Sequence, residues 1–361
     1  MKITHTGYIE LNDTVLEEYY RVEDYKTYKG YRLLAVDGSE IELQHGEAIR
    51  EEFGRVFLNK ESINAAKSVV VYDLLNELVI DAKLNPYNSS ERASAVRQLR
   101  RIKTEGKARK DIVVADRGFP SLELFMELLL MDYDFVMRYS KRNFVKETQA
   151  LLKSKENDLE IEVSLSDFNK RKKNPRIKEL LDEGFPEKLK LRIVKVKLPN
   201  GEDEYLITSV LDKKKLTVED LGEIYNLRWN EELYFDFQKN IMEVENFTGK
   251  SVETIKQDYY CAILVGNLHT LIIEDAQEEV DKETKKNKKL KYEKYKINKR
   301  VTYGLMKDRI YDLLMARSWK KEYKRLVKEA KRYKIPVIKN RSFPVEKKGN
   351  LKYPITKKGA L

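Results

Sequence analysis

The chain has one cysteine, Cys261, and three histidines, His5, His45 and His269. A single thiol excludes an internal disulfide framework and a Cys-based zinc site. Three scattered imidazoles make a His-rich metal site equally poor. Any metal must then be held by carboxylates, which favours Mg²⁺ or Mn²⁺. Long apolar runs are also missing. The longest candidate, Cys261–Ile273, contains His269 and falls short of the roughly 18–20 residues that a membrane helix needs. The opening Met1-Lys-Ile-Thr-His is followed by no apolar h-region of a signal peptide. The expected compartment is a reducing cytoplasm.

What is present is charge, unevenly placed. The 361 residues carry 71 Lys+Arg against 60 Asp+Glu, a net of +11. Residues 281–361 hold 28 Lys+Arg and 8 Asp+Glu, a net of +20, and residues 1–280 hold 43 and 52, a net of −9. An acidic body with a basic tail differs from a uniformly basic nucleic-acid binder. Codon bias in an AT-rich genome would inflate lysine and the 22 tyrosines, but it does not explain an excess at one end. Apolar residues at 41% suffice for a real core.

Along the chain, Tyr31–Val36 reads as a strand, Asp37-Gly38-Ser39 as a turn, and Ile41–Leu43 as a second strand. Ser68–Leu74 and Leu78–Ala82 look like further strands. Ser90 can cap a helix over Glu91–Ile102. Asp111–Ala115 is a β-branched run ending at Asp116-Arg117-Gly118, followed by an apolar helix over Ser121–Met131 and a strand over Tyr133–Arg138. Recurrent strand–turn–helix–strand order argues for α/β layering. Lys188–Leu198 and Glu204–Leu211 flank Pro199-Asn200-Gly201 and read as a β-hairpin. Thr217 with Asp220 three residues on signals a helix start, with the helix running through Lys239. Val252–Ala276 reads as a second long helix, residues 282–300 as a basic linker or arm, and Val301–Arg332 as a basic amphipathic helix before a Lys- and Pro-bearing tail.

The most informative stretch lies between Tyr225 and Lys239. At about 100° per residue, Tyr225, Arg228, Glu232 and Lys239 share an arc of roughly 60° on one helix face. A carboxylate among phosphate-binding groups suits metal-dependent phosphoryl transfer, with the acid holding a cation and the others holding a nucleic-acid backbone. The plainer reading is an exposed face with i,i+4 ion pairs such as Arg228 with Glu232. Two more carboxylates sharpen the choice. Asp37 and Asp116 are each placed at a strand end with glycine within two residues, and each taken alone is as well explained by a turn. Cys261 and His269 read as core residues.

The pattern Tyr-x2-Arg-x3-Glu-x6-Lys, filled by Tyr225, Arg228, Glu232 and Lys239, resembles the YREK signature of one group of bacterial insertion-sequence DDE transposases. Asp37 in Ala-Val-Asp-Gly-Ser looks like that family's first Asp, and Asp116 in Val-Ala-Asp-Arg-Gly-Phe like its second. Trp229, directly after the Arg, also fits. The resemblance spans roughly residues 31–273. It implies an α/β fold with an RNase H-like core, a mixed β-sheet flanked by helices. In that core Asp37, Asp116 and Glu232 would be catalytic and would jointly hold two Mg²⁺ ions, with Mn²⁺ able to substitute. Tyr225, Arg228 and Lys239 would contact DNA at the transposon end, with Trp229 and Arg117 as further contacts.

The implied organisation is a lead-in over 1–30, core over 31–140, a β-rich insertion over 141–213, core again over 214–279, and a basic helical region over 280–361. Phe168 and Tyr205 are the aromatics in that insertion whose location suits capture of a flipped base. The implied partners are double-stranded DNA, both terminal inverted repeats and target, and a second copy of the chain on paired ends. No membrane partner is expected, and the implied place is the bacterial cytoplasm, at the nucleoid. Relatives usually carry a helical DNA-binding region before the first Asp, and only 36 residues precede Asp37 here. Two alternatives therefore stand beside an active transposase: a truncated inactive copy, and a non-catalytic DNA-binding remnant.

Overall fold

A computed structural model describes residues 3–22, 24–58, 61–105, 109–140, 144–154, 156–165, 174–198, 201–286 and 291–338. Phe168 and the tail beyond residue 338 lie outside the described residues. Two compact units emerge. The larger comprises Leu16–Glu42 and Ile49–Phe235, and the smaller Met1–Val15, Leu43–Ala48 and Asp236–Leu361.

In chain order the elements are α1 (His5–Arg21), β1 (Arg32–Glu42), α2 (Glu47–Phe53), β2 (Arg55–Leu58), β3 (Glu61–Asp73), β4 (Leu78–Pro86), α3 (Glu91–Thr104) and β5 (Asp111–Ala115). Next come α4 (Leu122–Leu130), β6 (Asp134–Arg138), α5 (Val145–Ser154), β7 (Asp158–Ser164), α6 (Pro175–Asp182), β8 (Lys188–Lys197) and β9 (Asp203–Thr208). The chain continues through α7 (Val218–Leu227), α8 (Trp229–Asn240), α9 (Val252–Lys286), β10 (Tyr295–Ile297), α10 (Lys299–Met315) and α11 (Trp319–Ala330).

The larger unit is built on one mixed sheet. Strands β1, β3 and β4 form an antiparallel meander, and β5 and β6 lie parallel to β1 on its other side. The order β4-β3-β1-β5-β6 is the RNase H-like arrangement. Parallel neighbours need a crossover, and α4 supplies the one between β5 and β6. Every residue of β5 is buried, as a central parallel strand covered on both faces requires. Beyond β6 the sheet continues antiparallel through β9, β8 and β7. The hairpin read from Lys188–Leu211 is therefore present, and β9 joins it directly to the core sheet.

Helix starts coincide with their caps. Ser90 accepts from Ala93 N–H, Ser121 from Leu124 N–H, and Thr217 forms a reciprocal capping box with Asp220.

Three expectations fail locally. Asp37-Gly38 makes no turn. The strand runs through it, with Asp37 opposite Val70 and Gly38 opposite Val69, because β3 offers a full-length partner ladder that outweighs the local turn preference. The helix expected from Thr217 to Lys239 is two helices, interrupted at Arg228. Likewise the basic helix read over Val301–Arg332 divides into α10 and α11 around Ala316–Ser318.

In the smaller unit, α9 packs through Ile272, Ile273, Ala276 and Val280 against Met306, Leu313, Leu326 and Val327 of the last two helices. His269 is buried there. It hydrogen-bonds Thr302 Oγ1 at 3.0 Å and stacks on Phe237, as a core histidine should. Cys261 is only half-buried. No helix among the described residues is long and apolar enough to cross a membrane.

Candidate active site

Strand register brings the two aspartates together. Leu34 pairs with Val113 and Ala35 with Val114 along the parallel β1–β5 ladder. Two residues further along each chain stand Asp37 and Asp116, so continuing that register sets them side by side. Their proximity is felt electrostatically. Burial pushes the Asp37 carboxyl up to about 6, the Asp116 charge adds to that rise, and the Gly38 N–H and the Arg228 guanidinium oppose it. A like charge beside a partly desolvated carboxylate has this sign.

Each aspartate is also held by its own following backbone. Gly38 N–H donates to Asp37 Oδ1 at 2.8 Å, and Gly118 N–H donates to Asp116 Oδ1 at 2.7 Å. A side chain on Gly118 would lie 3.0 Å from that same Oδ1. Gly38 has a different reason to lack one, since a Cβ there would fall 2.6 Å from the Glu91 carboxyl carbon. Glu91 in turn pairs with Lys67 at 2.9 Å.

Glu232 sits in the first turn of α8. Arg228 Nη2 donates to Glu232 Oε1 at 2.6 Å, and Arg228 Nη1 lies 3.9 Å from Asp37 Oδ2. One guanidinium thus stands between the third carboxylate and the first. The i,i+4 pair offered by the plainer sequence reading is real, and it belongs to the same constellation as the aspartates. Among the described residues, no three His, Cys, Asp or Glu are grouped so as to hold a metal ion. Clustered carboxylates repel one another, and here a cation of the protein's own lies among them.

The remaining sequence candidates fall in different settings. Tyr225 is only 7% exposed. Its ring lies 5.6 Å from the Arg228 guanidinium, and burial raises its phenol. Trp229 is 57% exposed and Arg117 is exposed on the turn after β5. Lys239 belongs to the smaller unit, where it pairs with Glu245 at 3.6 Å. Tyr205 is buried in β9 against Tyr139, which makes it a packing residue.

Sequence reasoning missed two groups. Glu204 on β9 is buried and bonded to Arg138 at 3.2 Å, and its carboxyl feels Arg228. Glu231, beside Glu232, has 0% exposure, and its carboxylate is turned inward, where the Asp37 backbone N–H acts on it. Burial, then the Asp37 charge, drives its carboxyl far above the usual carboxylate range.

Known proteins resemble this chain to different degrees. Among solved structures, a piggyBac transposase synaptic complex with hairpin DNA is similar, at 12% identity and a TM-score of 0.43 over 83% of this chain and 57% of that one. A Mos1 transposase paired-end complex with a left transposon end is similar at 11% identity and a TM-score of 0.22, over 36% of this chain and 40% of that one. The chain thus spans little more than half of the first and less than half of the second. No curated protein sequence matches it significantly. Residues 28–268 match the transposase DDE domain, a span that contains all three acids, and the chain belongs to that family.

Proposed function

We propose that the chain is a DDE transposase of the YREK-signature kind, which cuts and joins DNA at the ends of a bacterial insertion sequence. Asp37, Asp116 and Glu232 are its catalytic carboxylates. The observation that carries the reading is the constellation itself: Asp37 on β1 and Asp116 just past the end of the parallel neighbour β5, and one guanidinium spanning from Glu232 to Asp37.

The donor set fits a pair of hard divalent cations, Mg²⁺ or Mn²⁺. It is all carboxylate oxygen, with no thiolate or imidazole among the three acids to favour a softer ion. The attraction of a guanidinium to Asp37 and Glu232 indicates a place where positive charge is stabilised. Two bound ions would activate the attacking hydroxyl and steady the leaving oxygen of an in-line displacement at phosphorus.

The protein's own groups do the rest. One oxygen of Asp37 and one of Asp116 are held by the Gly38 and Gly118 amides, and the second oxygen of each would be the one offered to a cation. Arg228 can exchange a carboxylate for a phosphate oxygen, since a planar guanidinium serves both. Tyr225 backs that guanidinium and positions it. Trp229 and Arg117 contact the DNA from the surface, and Lys239 adds a phosphate contact. The partners are double-stranded terminal repeats and target DNA, with a second copy of the chain on the paired end, in the bacterial cytoplasm.

The test is cleavage and strand transfer on duplexes carrying the terminal inverted repeats. Mg²⁺- or Mn²⁺-dependent release of a 3′-hydroxyl end and its joining to a target supports the reading. Absence of both reactions with either ion, on repeats that the protein binds, contradicts it.

A further inference from the structure

An open concavity of about 560 Å³ beside the β2–β3 hairpin is lined by Arg50, Gly54, Arg55, Phe57 and Asn88. Backbone hydrogen bonds assemble it from three chain segments. Gly54 N–H donates to Arg50 O at 2.9 Å and closes α2, with Gly54 at φ +89°, a conformation that favours glycine. Ala65 N–H donates to Gly54 O at 3.3 Å, and Tyr87 N–H donates to Phe53 O at 2.6 Å. The end of α2, strand β3 and the turn after β4 therefore meet at one point, which brings Arg50, Arg55 and Asn88 together.

The side chains there are not what packing asks for. Phe57 is 66% exposed, so its ring gains little from folding. Arg55, two residues earlier on β2 and hence on the same strand face, sets its guanidinium 4.9 Å from the centroid of that ring. A cation over one face holds an aromatic in place and leaves the other face open. Among the described residues no acid lines the concavity, although acids outnumber cations 52 to 43 over residues 1–280.

Strand register ties this surface to Asp37. On β3, Val70 stands opposite Asp37, Asn64 opposite Arg55 and Ser62 opposite Phe57. These positions differ by even numbers of residues, so Asp37, Arg55 and Phe57 belong to the same face of the β3 ladder. From Val70 to Ser62 the strand runs about 27 Å, at about 3.4 Å per residue.

A planar apolar face flanked by guanidinia suits unpaired nucleic acid, because a base stacks on the ring while the cations take neighbouring phosphates. We propose that Arg50, Arg55, Phe57 and Asn88 form a binding site for single-stranded DNA. A base stacks on the open face of Phe57, Arg50 and Arg55 hold the phosphates on either side, and the Asn88 amide meets a base edge. The inference rests on the transposase reading for the source of the strand, since cleavage at Asp37 frees an unpaired end within reach of the hairpin. Binding at the site does not require that chemistry.

The experiment is fluorescence anisotropy of a labelled thymidine homopolymer of about 16 nucleotides, the upper end of a single binding site, with a duplex of mixed sequence beside it. The full chain and its variants are compared across a salt series, and melting temperatures confirm that each variant folds. Phe57→Leu keeps apolar bulk without a stacking face and is expected to bind the single strand about fivefold or more weakly, the effect of losing one stacked base. Its duplex affinity is expected to stay at the wild-type value. Phe57→Trp is expected to bind the single strand at least as tightly as wild type. Arg55→Gln is expected to weaken binding and to reduce the salt slope by about 0.7, as loss of one phosphate contact on a single strand does. Asp37→Asn, which removes a catalytic carboxylate, is expected to bind the homopolymer like wild type. Wild-type single-strand affinity in both Phe57→Leu and Arg55→Gln overturns the site, and so does an equal loss for duplex and single strand in Phe57→Leu. Either result leaves terminal-repeat cleavage untouched as evidence for the transposase reading. Absence of cleavage with the Phe57 effect intact overturns that reading and not the site.

Discussion

Arg228 donates to Glu232 across one helical turn at 2.6 Å, and the same guanidinium reaches toward Asp37. This pair starts where α7 gives way to α8, so the break in the helix and the placement of the cation are one feature. Replacing Arg228 with alanine removes the positive charge that lowers the Asp37 carboxyl. The Asp37 pKa is expected to rise further above about 6, and strand cleavage to fall by about 10²-fold or more, the usual loss when a preorganised charge-stabilising donor is deleted. Carbon-13 titration of the aspartate carboxyls, together with cleavage rates, checks both. Arg228→Lys should restore part of the pKa and little of the rate, because an ammonium cannot span two oxygens as a planar fork does.

Asp37 also predicts how stability depends on pH. Burial pushes its carboxyl up to about 6 in the folded protein, above the ordinary value of about 3.9. The folded state therefore holds a proton that the unfolded chain has already released. Its contribution to stability is complete below about pH 4 and is lost as pH rises through about 6. Asp37→Asn should flatten the stability profile between those limits. At pH 7 in chelator it should be more stable than wild type by roughly 2–3 kcal/mol. Urea unfolding across the pH range measures it, and a variant less stable at pH 7 with an unchanged slope contradicts it.

The sequence made some of this legible and hid the rest for identifiable reasons. The β5 run and the helix-start signals at Ser90 and Thr217 are local, and both helices begin where those signals stand. Asp116 does come directly after a strand end. Asp37 does not, because β3 extends the ladder through Gly38, and a partner strand distant in the chain leaves no mark on an Asp-Gly pair. Helical projection placed Arg228 and Glu232 on one face correctly, since they are only one turn apart. It could not foresee that the helix stops at Arg228, which alters the relation of Tyr225 to the side chains of α8. Glu231 was invisible because nothing in a sequence distinguishes an inward acid from an outward one when both begin a polar helix.

The larger unit contains an ion pair whose loss should be felt globally. Arg32 Nε and Nη2 donate to the two Asp111 oxygens at 2.8 Å each, with both side chains buried. Arg32→Met leaves Asp111 uncompensated in the interior and should cost about 3–5 kcal/mol. Adding Asp111→Leu should recover most of that loss, because the penalty comes from the stranded charge more than from the missing bond. Denaturant midpoints of the single and double variants decide it.

His269 gives the smaller unit an acid sensitivity. Burial holds its imidazole down to about 3, whereas an unfolded histidine titrates near 6.5. The stability it allows is full above about pH 6.5 and declines as pH falls toward 3, by up to about 1.4 kcal/mol per pH unit. His269→Gln, which keeps a polar atom near Thr302, should lose that acid slope. Hydrogen exchange of α9 amides as a function of pH would report it, and an unaltered slope in the variant would contradict the assignment.

The central claim is that Glu232 acts in the chemistry and not in holding DNA. The most direct measurement is the pair of observables, binding and single-strand cleavage on a terminal-repeat duplex in Mg²⁺ or Mn²⁺, for wild type and Glu232→Gln. The variant is expected to bind the duplex within a few-fold of wild type and to produce no cleavage above background. Cleavage at the wild-type rate by Glu232→Gln would contradict it.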